Sequence, residues 1–318
     1  MRRGFAAVVM AIVLLVGASA VWAAPNAVTL EMKGEPGQEL RYSTTFSMSF
    51  DLDVQNPESG EQVFSVAPRA AGSAVTVSRV AEVSENGDLS LAGRVESFDF
   101  SLDIADLHAR LAIVGPDGGA PQLIKLPEIP LRTVISKAGK VVALEGLERI
   151  PIPPIQIPNG PRIDIKGMMS KSIAEFSQPL FPDHPVSVGD TWSWEMVIEP
   201  LKMAEMMGTP LPPEAQEQMG ALSIPIKSTS TLVGFEMLNG VECAKIEAVA
   251  PWELNMPAGP EGMVLAESGT TTVVTWFDYA AGQKVKDSTQ VEVTMTVGDG
   301  KVTPAHMEMR MSAETELQ

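Results

Sequence analysis

The chain has 318 residues, a net charge of −17 from 40 acidic and 23 basic residues, 45% hydrophobic content and one cysteine. This charge repels polyanions, which disfavours anionic membrane surfaces and leads to the expectation of no nucleic-acid partner. A single cysteine excludes an intramolecular disulfide, so stability must come from core burial, for which the length suffices for one large or two medium domains.

Residues 1–23 read as an export signal. Arg2 and Arg3 form a basic start, Phe5 to Val16 an apolar run, and Val21-Trp22-Ala23 offers small residues for cleavage before Ala24. The run is short of the ~20 residues that span a bilayer, and no later run reaches that length. No cysteine stands at the cleavage site to take a lipid. The sequence therefore predicts an exported protein, periplasmic or extracellular, with no transmembrane span in the mature chain. Cleavage near Ala23 leaves 21 basic against 40 acidic residues, a net charge of −19.

From Leu40, apolar Leu40, Tyr42, Phe46, Met48, Phe50, Leu52 and Val54 alternate with polar residues, which predicts a long strand with one buried face. After a turn at Asn56 to Gly60, a second strand runs through Val75, Val77, Val80 and Val83. Its phase slips between Val77 and Val80, which reads as a bulge. Asn86-Gly87 marks a hairpin. The return strand carries Leu89, Leu91 and Val95, changes phase, and continues through Phe98, Phe100, Leu102 and Ile104. A further hairpin turns at Ala138-Gly139, between Leu131, Thr133 and Ile135 on one arm and Val142 and Leu144 on the other. Five prolines between Pro151 and Pro161 then suit an extended connector. Ile165, Met168, Met169, Ile173 and Phe176 fall at helical spacing, so a short amphipathic helix is expected before Pro179.

The second half restarts at Gly189, with Trp192, Trp194, Met196 and Ile198 on one strand face. An insertion at 200–222 is rich in Met, Glu and Pro, and Lys202 to Met207 and Glu214 to Met219 suit helical turns. Strands follow over Ile224 to Phe235, Ala244 to Met256 after Asn239-Gly240, Thr270 to Phe277, Val285 to Val297, and Ala305 to Ala313. Gly37 matches Gly189, Asn86-Gly87 matches Asn239-Gly240, and Gly139 matches Gly282, at offsets of 152, 153 and 143. The expected fold is mainly β: two pseudo-repeated antiparallel halves forming curved sheets or half-barrels, with one short connecting helix and a Met-rich helical insertion. The predicted divisions are 24–160, a connector over 161–184, and 185–318 with the insertion at 200–222.

No pattern commits the chain to a chemistry. His108, His184 and His306 are too scattered for a metalloprotease pair, and no serine stands three residues before a lysine. Phosphate-loop, nucleophile-elbow and calcium-loop patterns are absent, so the expectation is no enzyme, no catalytic residues, no cofactor and no metal. Fourteen of 18 methionines follow residue 160. They suit an irregular core or a pliable apolar groove, although Met307, Met309 and Met311 on one strand face leave Cu(I) open as an alternative. His306 has the opposite parity. Cys243 reads as a small strand residue, and Trp192, Trp194, Trp252 and Trp276 as inward-facing.

The stretch Phe181 to Trp192, Phe-Pro-x-x-Pro-Val-x-Val-Gly-Asp-Thr-Trp, and the aromatic-Asp-x-x-x-Gly turn at Phe277 to Gly282 resemble a broad set of exported bacterial β-rich proteins of unknown function. In build the chain is loosely similar to LolA- and LppX-type envelope carriers. That resemblance implies a curved antiparallel sheet around an apolar cavity capped by helices, though the LppX anchoring cysteine is missing. The function expected is binding of a lipid or other hydrophobic ligand, with Met168, Ile173, Met203, Met206 and Met207 as candidate ligand contacts. A cell-envelope scaffold that binds a partner protein is the alternative.

Overall fold

The computed structural model describes residues 27–55, 59, 62–104, 107–114, 124–125, 131–146, 155–156, 162–163, 180–199, 201, 216, 220, 223–256, 264–298 and 305–318. The predicted signal at 1–23, the predicted helix around Ile165 to Phe176, and all five candidate contacts (Met168, Ile173, Met203, Met206, Met207) lie outside the described residues. Of the insertion, Leu201, Gln216 and Gly220 are described. Each is helical, and a Cβ on Gly220 would stand 3.3 Å from Leu201.

The protein is mainly β. Its strands are β1 (Glu39–Gln55), β2 (Gln62–Val66), β3 (Arg69–Val83), β4 (Leu89–Ile104), β5 (Leu107–Val114), β6 (Ile124–Lys125), β7 (Leu131–Ile135), β8 (Val141–Glu145), β9 (Ile155–Gln156), β10 (Arg162–Ile163), β11 (Thr191–Ile198), β12 (Ile224–Leu238), β13 (Val241–Met256), β14 (Val264–Asp278), β15 (Gln283–Gly298) and β16 (Ala305–Leu317). Fourteen of them form one sheet in the order β11-β12-β13-β14-β15-β16-β1-β3-β4-β5-β6. β2 is attached to β1, and the β7–β8 hairpin to the start of β4. All these pairings are antiparallel except β5 with β6. Among the described residues no pairing joins the two ends, so the sheet is open. Among the described residues only β9 and β10 stand apart, as a two-stranded ladder.

The two halves share this one sheet, joined where β16 pairs along β1 from Tyr42↔Leu317 to Val54↔Ala305. The repeat holds at the level of turns and bulges. Gly37 and Gly189 both have φ of +92°, Gly87 and Gly240 +85° and +83°, and Gly139 and Gly282 +81° and +69°, a region that only glycine enters at no steric cost. Gly37 donates its N–H to Val80, and Gly189 to Leu232, each at 2.8 Å. One extra residue, Ala81 on β3 and Val233 on β12, bulges at equivalent points. A second equivalent pair is Val142 on β8 and Val285 on β15. Among the described residues β16 has no counterpart in the first half.

The core is a plug between the halves. The lead-ins to β1 and β11 bridge each other through reciprocal hydrogen bonds between Val28 and Val186, 2.8 and 2.9 Å. Met32 and Leu180 donate backbone N–H groups to Lys137 and Ala138 in the β7–β8 turn, and Lys33 donates to Gly282 in the β14–β15 turn. Val28, Leu30, Met32, Phe181 and Val186 pack with Val80, Leu89 and Leu91 of the first half and Leu232, Ala244, Ile246 and Phe277 of the second. Val80 and Leu232 are fully buried. In a flat sheet β3 and β12 would stand six strand spacings apart, ~29 Å. Their presence in one cluster means that the sheet coils around the lead-ins.

Two sequence expectations are corrected. The slip between Val77 and Val80 is not a bulge: Val77 is buried on the opposite face, where its register neighbours are Arg41 and Arg94. Both guanidinium groups bond Glu96, at 2.9 and 3.1 Å. The bulges around it fall at Ala81 and, on β4, at Glu96. Trp276 also faces outward, since its partner positions Lys245 and Lys286 place ammonium groups 5.4 and 5.7 Å from the ring and its indole N–H donates to Glu236 at 2.7 Å. Cation–π contact and a carboxylate acceptor give an outward indole what a core would not.

Candidate ligand-binding face

Strand alternation sorts the sheet into two unlike faces. The face toward the plug carries, in register, Thr271, Val291, Met311, Met48 and Ala70 on β14, β15, β16, β1 and β3. One rung further from the plug it carries Gly269, Val293, Met309 and Phe50, and beyond that Glu267, Met295, Met307 and Leu52. The interleaved residues of the other face are polar: Thr270, Glu292, Arg310 and Ser49 form one rung, Ser268, Thr294, Glu308 and Asp51 the next. The apolar face is only partly covered. Met311 is 41% exposed, and Phe46, Met48, Phe50, Met307 and Met309 are half-buried.

Two adjoining cavities lie on this face. One of about 240 Å³ spans β11 to β14 and is walled by Phe181, Trp194, Met196, Ile226, Ile246 and Trp252, with Ser228, Ser230, Thr271 and Thr275 as its hydroxyls. The other, about 220 Å³, lies over β15, β16, β1, β3 and β4 and is walled by Phe46, Met48, Phe100, Val291, Met311 and Ala313. They meet at the β14–β15 ladder, where Thr271 pairs with Val291 and Val273 with Thr289. Glycines let aromatic rings approach the strands closely: a Cβ on Gly269 would stand 2.5 Å from the Trp252 indole, and one on Gly72 2.4 Å from the Phe46 ring. Phe46, Phe98 and Phe100 then stack with centroids 6.2–6.4 Å apart.

A larger concavity of about 430 Å³ includes polar-face residues Ser47, Ser49, Arg69, Ser101, Arg310 and Ser312. Its guanidinium groups are engaged, Arg69 with Asp51 at 2.7 Å and Arg310 with Glu308 at 3.2 Å, and exposed pairs of this kind hold charge rather than shape a site. The two apolar cavities, less open and lined mainly by apolar side chains, are the better ligand site.

Ionisable groups are sparse on the apolar face. Lys284 and Asp287 pair at 2.6 Å near the plug, and Tyr42 donates to the Lys284 carbonyl at 3.2 Å. Burial, reinforced by the nearby Asp287 carboxylate, pushes the Tyr42 phenol up to about 12. Further out stands Glu267, half-buried with no ion-pair or hydrogen-bond partner among the described residues. Burial raises its pKa.

The methionine strand lies as its parity predicts. Met307, Met309 and Met311 share the apolar face with Met48 and Met295, whereas His306 lies on the polar face opposite Asp53 and Thr296. Among the described residues no three His, Cys, Asp or Glu side chains cluster as a metal site. Cys243 is fully buried, and burial, with Asp278 and Glu242 nearby, lifts its thiol to about 11, away from the reactive thiolate. Sequence reasoning missed Glu267 and Gly269. The signal was available in their parity, since 265, 267, 269, 271, 273 and 275 share one strand face.

No protein-family model and no curated protein matches the chain. Among solved structures it is similar to one of lipovitellin described for its lipid–protein interactions, at 13% identity and a TM-score of 0.44. The match covers 89% of this chain and 25% of that one, so the chain spans about a quarter of that protein. It is also similar to an outer membrane channel from Pseudomonas putida F1, at 6% identity and a TM-score of 0.24, covering 90% and 97% of the two chains. Pseudomonas aeruginosa OpdQ matches at 8% and 0.24, covering 88% and 98%. Among the described residues no helix is long and apolar enough to cross a membrane.

Proposed function

We propose that this is a non-enzymatic exported protein that holds an apolar or amphipathic ligand, of the lipid class, against the inner face of its coiled sheet. The observation that carries the reading is the pair of adjoining cavities on one continuous, half-covered apolar face. Each alone is smaller than the ~300–1,000 Å³ usual for a small-molecule site, but they share a border, so one elongated ligand can lie across both. The methionine thioethers act as an adaptable wall that fits chains of different length. Removing such a chain from water supplies ~25 cal/mol per Å² of apolar surface, enough to drive binding without a specific polar network.

Native mass spectrometry of protein purified without detergent tests this directly. A co-purifying lipid is expected, and the extracted protein is expected to take up a twelve-carbon amphiphile saturably, with a change in tryptophan emission from Trp194 and Trp252. An empty protein that takes up no amphiphile overturns it. Replacing Met307, Met309 and Met311 together with leucine is expected to leave uptake intact, because the wall stays apolar.

A further inference from the structure

We infer that the ligand carries a cationic ammonium head, received between Glu267 and the indole of Trp252; this rests on the amphiphile-binding reading above. Trp252 lines the cavity on β11 to β14 and pairs in register with Gly269. Its indole comes close against that glycine, where no Cβ keeps it away. Glu267 is two residues further along β14 on the same strand face, a separation of ~7 Å along the strand. A cation seated over the indole face, within the ~6 Å reach of cation–π attraction, is one that a carboxylate side chain at this spacing can also approach.

The surroundings make Glu267 hard to explain as a structural residue. In register it pairs with Met295 on β15, and Met295 pairs onward with Met307. Half-buried beside these methionines without a partner among the described residues, a carboxylate costs stability unless something compensates it. Most acidic side chains of this sheet lie on the polar face, where several pair with arginine or lysine. An ammonium head supplies the missing countercharge, while its chain follows Val293, Met309 and Phe50 or Thr271, Val291 and Met311 across the sheet. Indole and carboxylate together are a pairing that recognises ammonium and quaternary ammonium groups.

The test compares three twelve-carbon amphiphiles below their micelle concentrations: dodecyltrimethylammonium, dodecyl maltoside and laurate, each titrated against tryptophan emission of the delipidated full chain. The native protein is expected to bind the cation at least tenfold tighter than the maltoside, and laurate weakest. Glu267→Gln is expected to weaken the cation tenfold or more and the maltoside less than twofold. Glu253→Gln removes the same charge from the polar face of β13 and is expected to change neither by twofold, which separates the site from the overall acidity of the protein. Glu267→Lys is expected to reverse the order in favour of laurate. Maltoside binding as tight as that of the cation, or a Glu267→Gln loss shared by both, overturns the head-group assignment while leaving the apolar site standing. Uptake of none of the three overturns both.

Discussion

Single residues show where alternation was a sufficient guide and where it was not. Leu40, Tyr42, Trp192 and Trp194 could be placed from parity alone, because each belongs to a strand whose phase is unbroken. Trp276 could not, since an aromatic residue in a β-branched run reads as core, and only the two lysines and Glu236 around it show the outward face. Two expected outcomes belong to this scale. Gly269→Ala drives a Cβ into the Trp252 indole and is expected to cost about 1–3 kcal/mol, with a shift in tryptophan emission and weaker amphiphile uptake in the same titration. The second concerns Tyr42 and Tyr279, the only two tyrosines in the chain. Both are pushed up to about 12, Tyr279 by burial and then by its hydrogen bond to Glu242. Below pH 10 both phenols are protonated in the folded and the unfolded chain alike, and their contribution to stability is complete. Between pH 10 and 12 the unfolded chain releases protons that the folded one keeps, so stability falls as pH rises through that window. Phenolate absorbance should therefore rise near pH 10 in denaturant and about two units later in the native protein, and coincident titrations would contradict the burial of both rings.

At the scale of elements, what carried the repeat in the sequence was turn chemistry. Positive φ at Gly37, Gly87, Gly139, Gly189, Gly240 and Gly282 is a local demand that leaves a glycine behind even where side-chain identity between the halves has gone. The paired bulges left no such mark: Ala81, Val233, Val142 and Val285 are ordinary strand residues, and it is their register that makes them extra. The lead-ins were also hidden. Val28, Leu30 and Met32 alternate like a strand, yet apart from the single bridge at Val28 they stay outside the ladders, because their work is to fill the coil of the sheet. Phe181 is the clearest test of that role. It is 4% exposed, its ring lies 4.4 Å from that of Phe277, and it joins the connector to the second half. Phe181→Ala is expected to lower stability by about 3–5 kcal/mol in denaturant unfolding. A loss under 1 kcal/mol would mean that the plug is not the core.

For the whole molecule, the sequence predicted two halves but not their union, because the pairing of β16 with β1 joins residues some 260 positions apart and no local pattern reports it. A shared sheet and a shared core predict one cooperative unit. Far-ultraviolet circular dichroism, which reports strands of both halves, and emission from the tryptophans of the second half are expected to give coincident denaturation curves; two separated transitions would show the halves to be independent domains. The central place of β16 has a further consequence, for the order in which the protein can be made. β1 is synthesised some 250 residues ahead of its partner across the seam, with the strands of the second half in between. Until then one long edge of β1, with Phe46, Met48 and Phe50 beside it, stays open, and such an edge invites pairing with other chains. A holding chaperone that keeps the chain unfolded until β16 arrives would suit this topology better than stepwise folding from β1 onward.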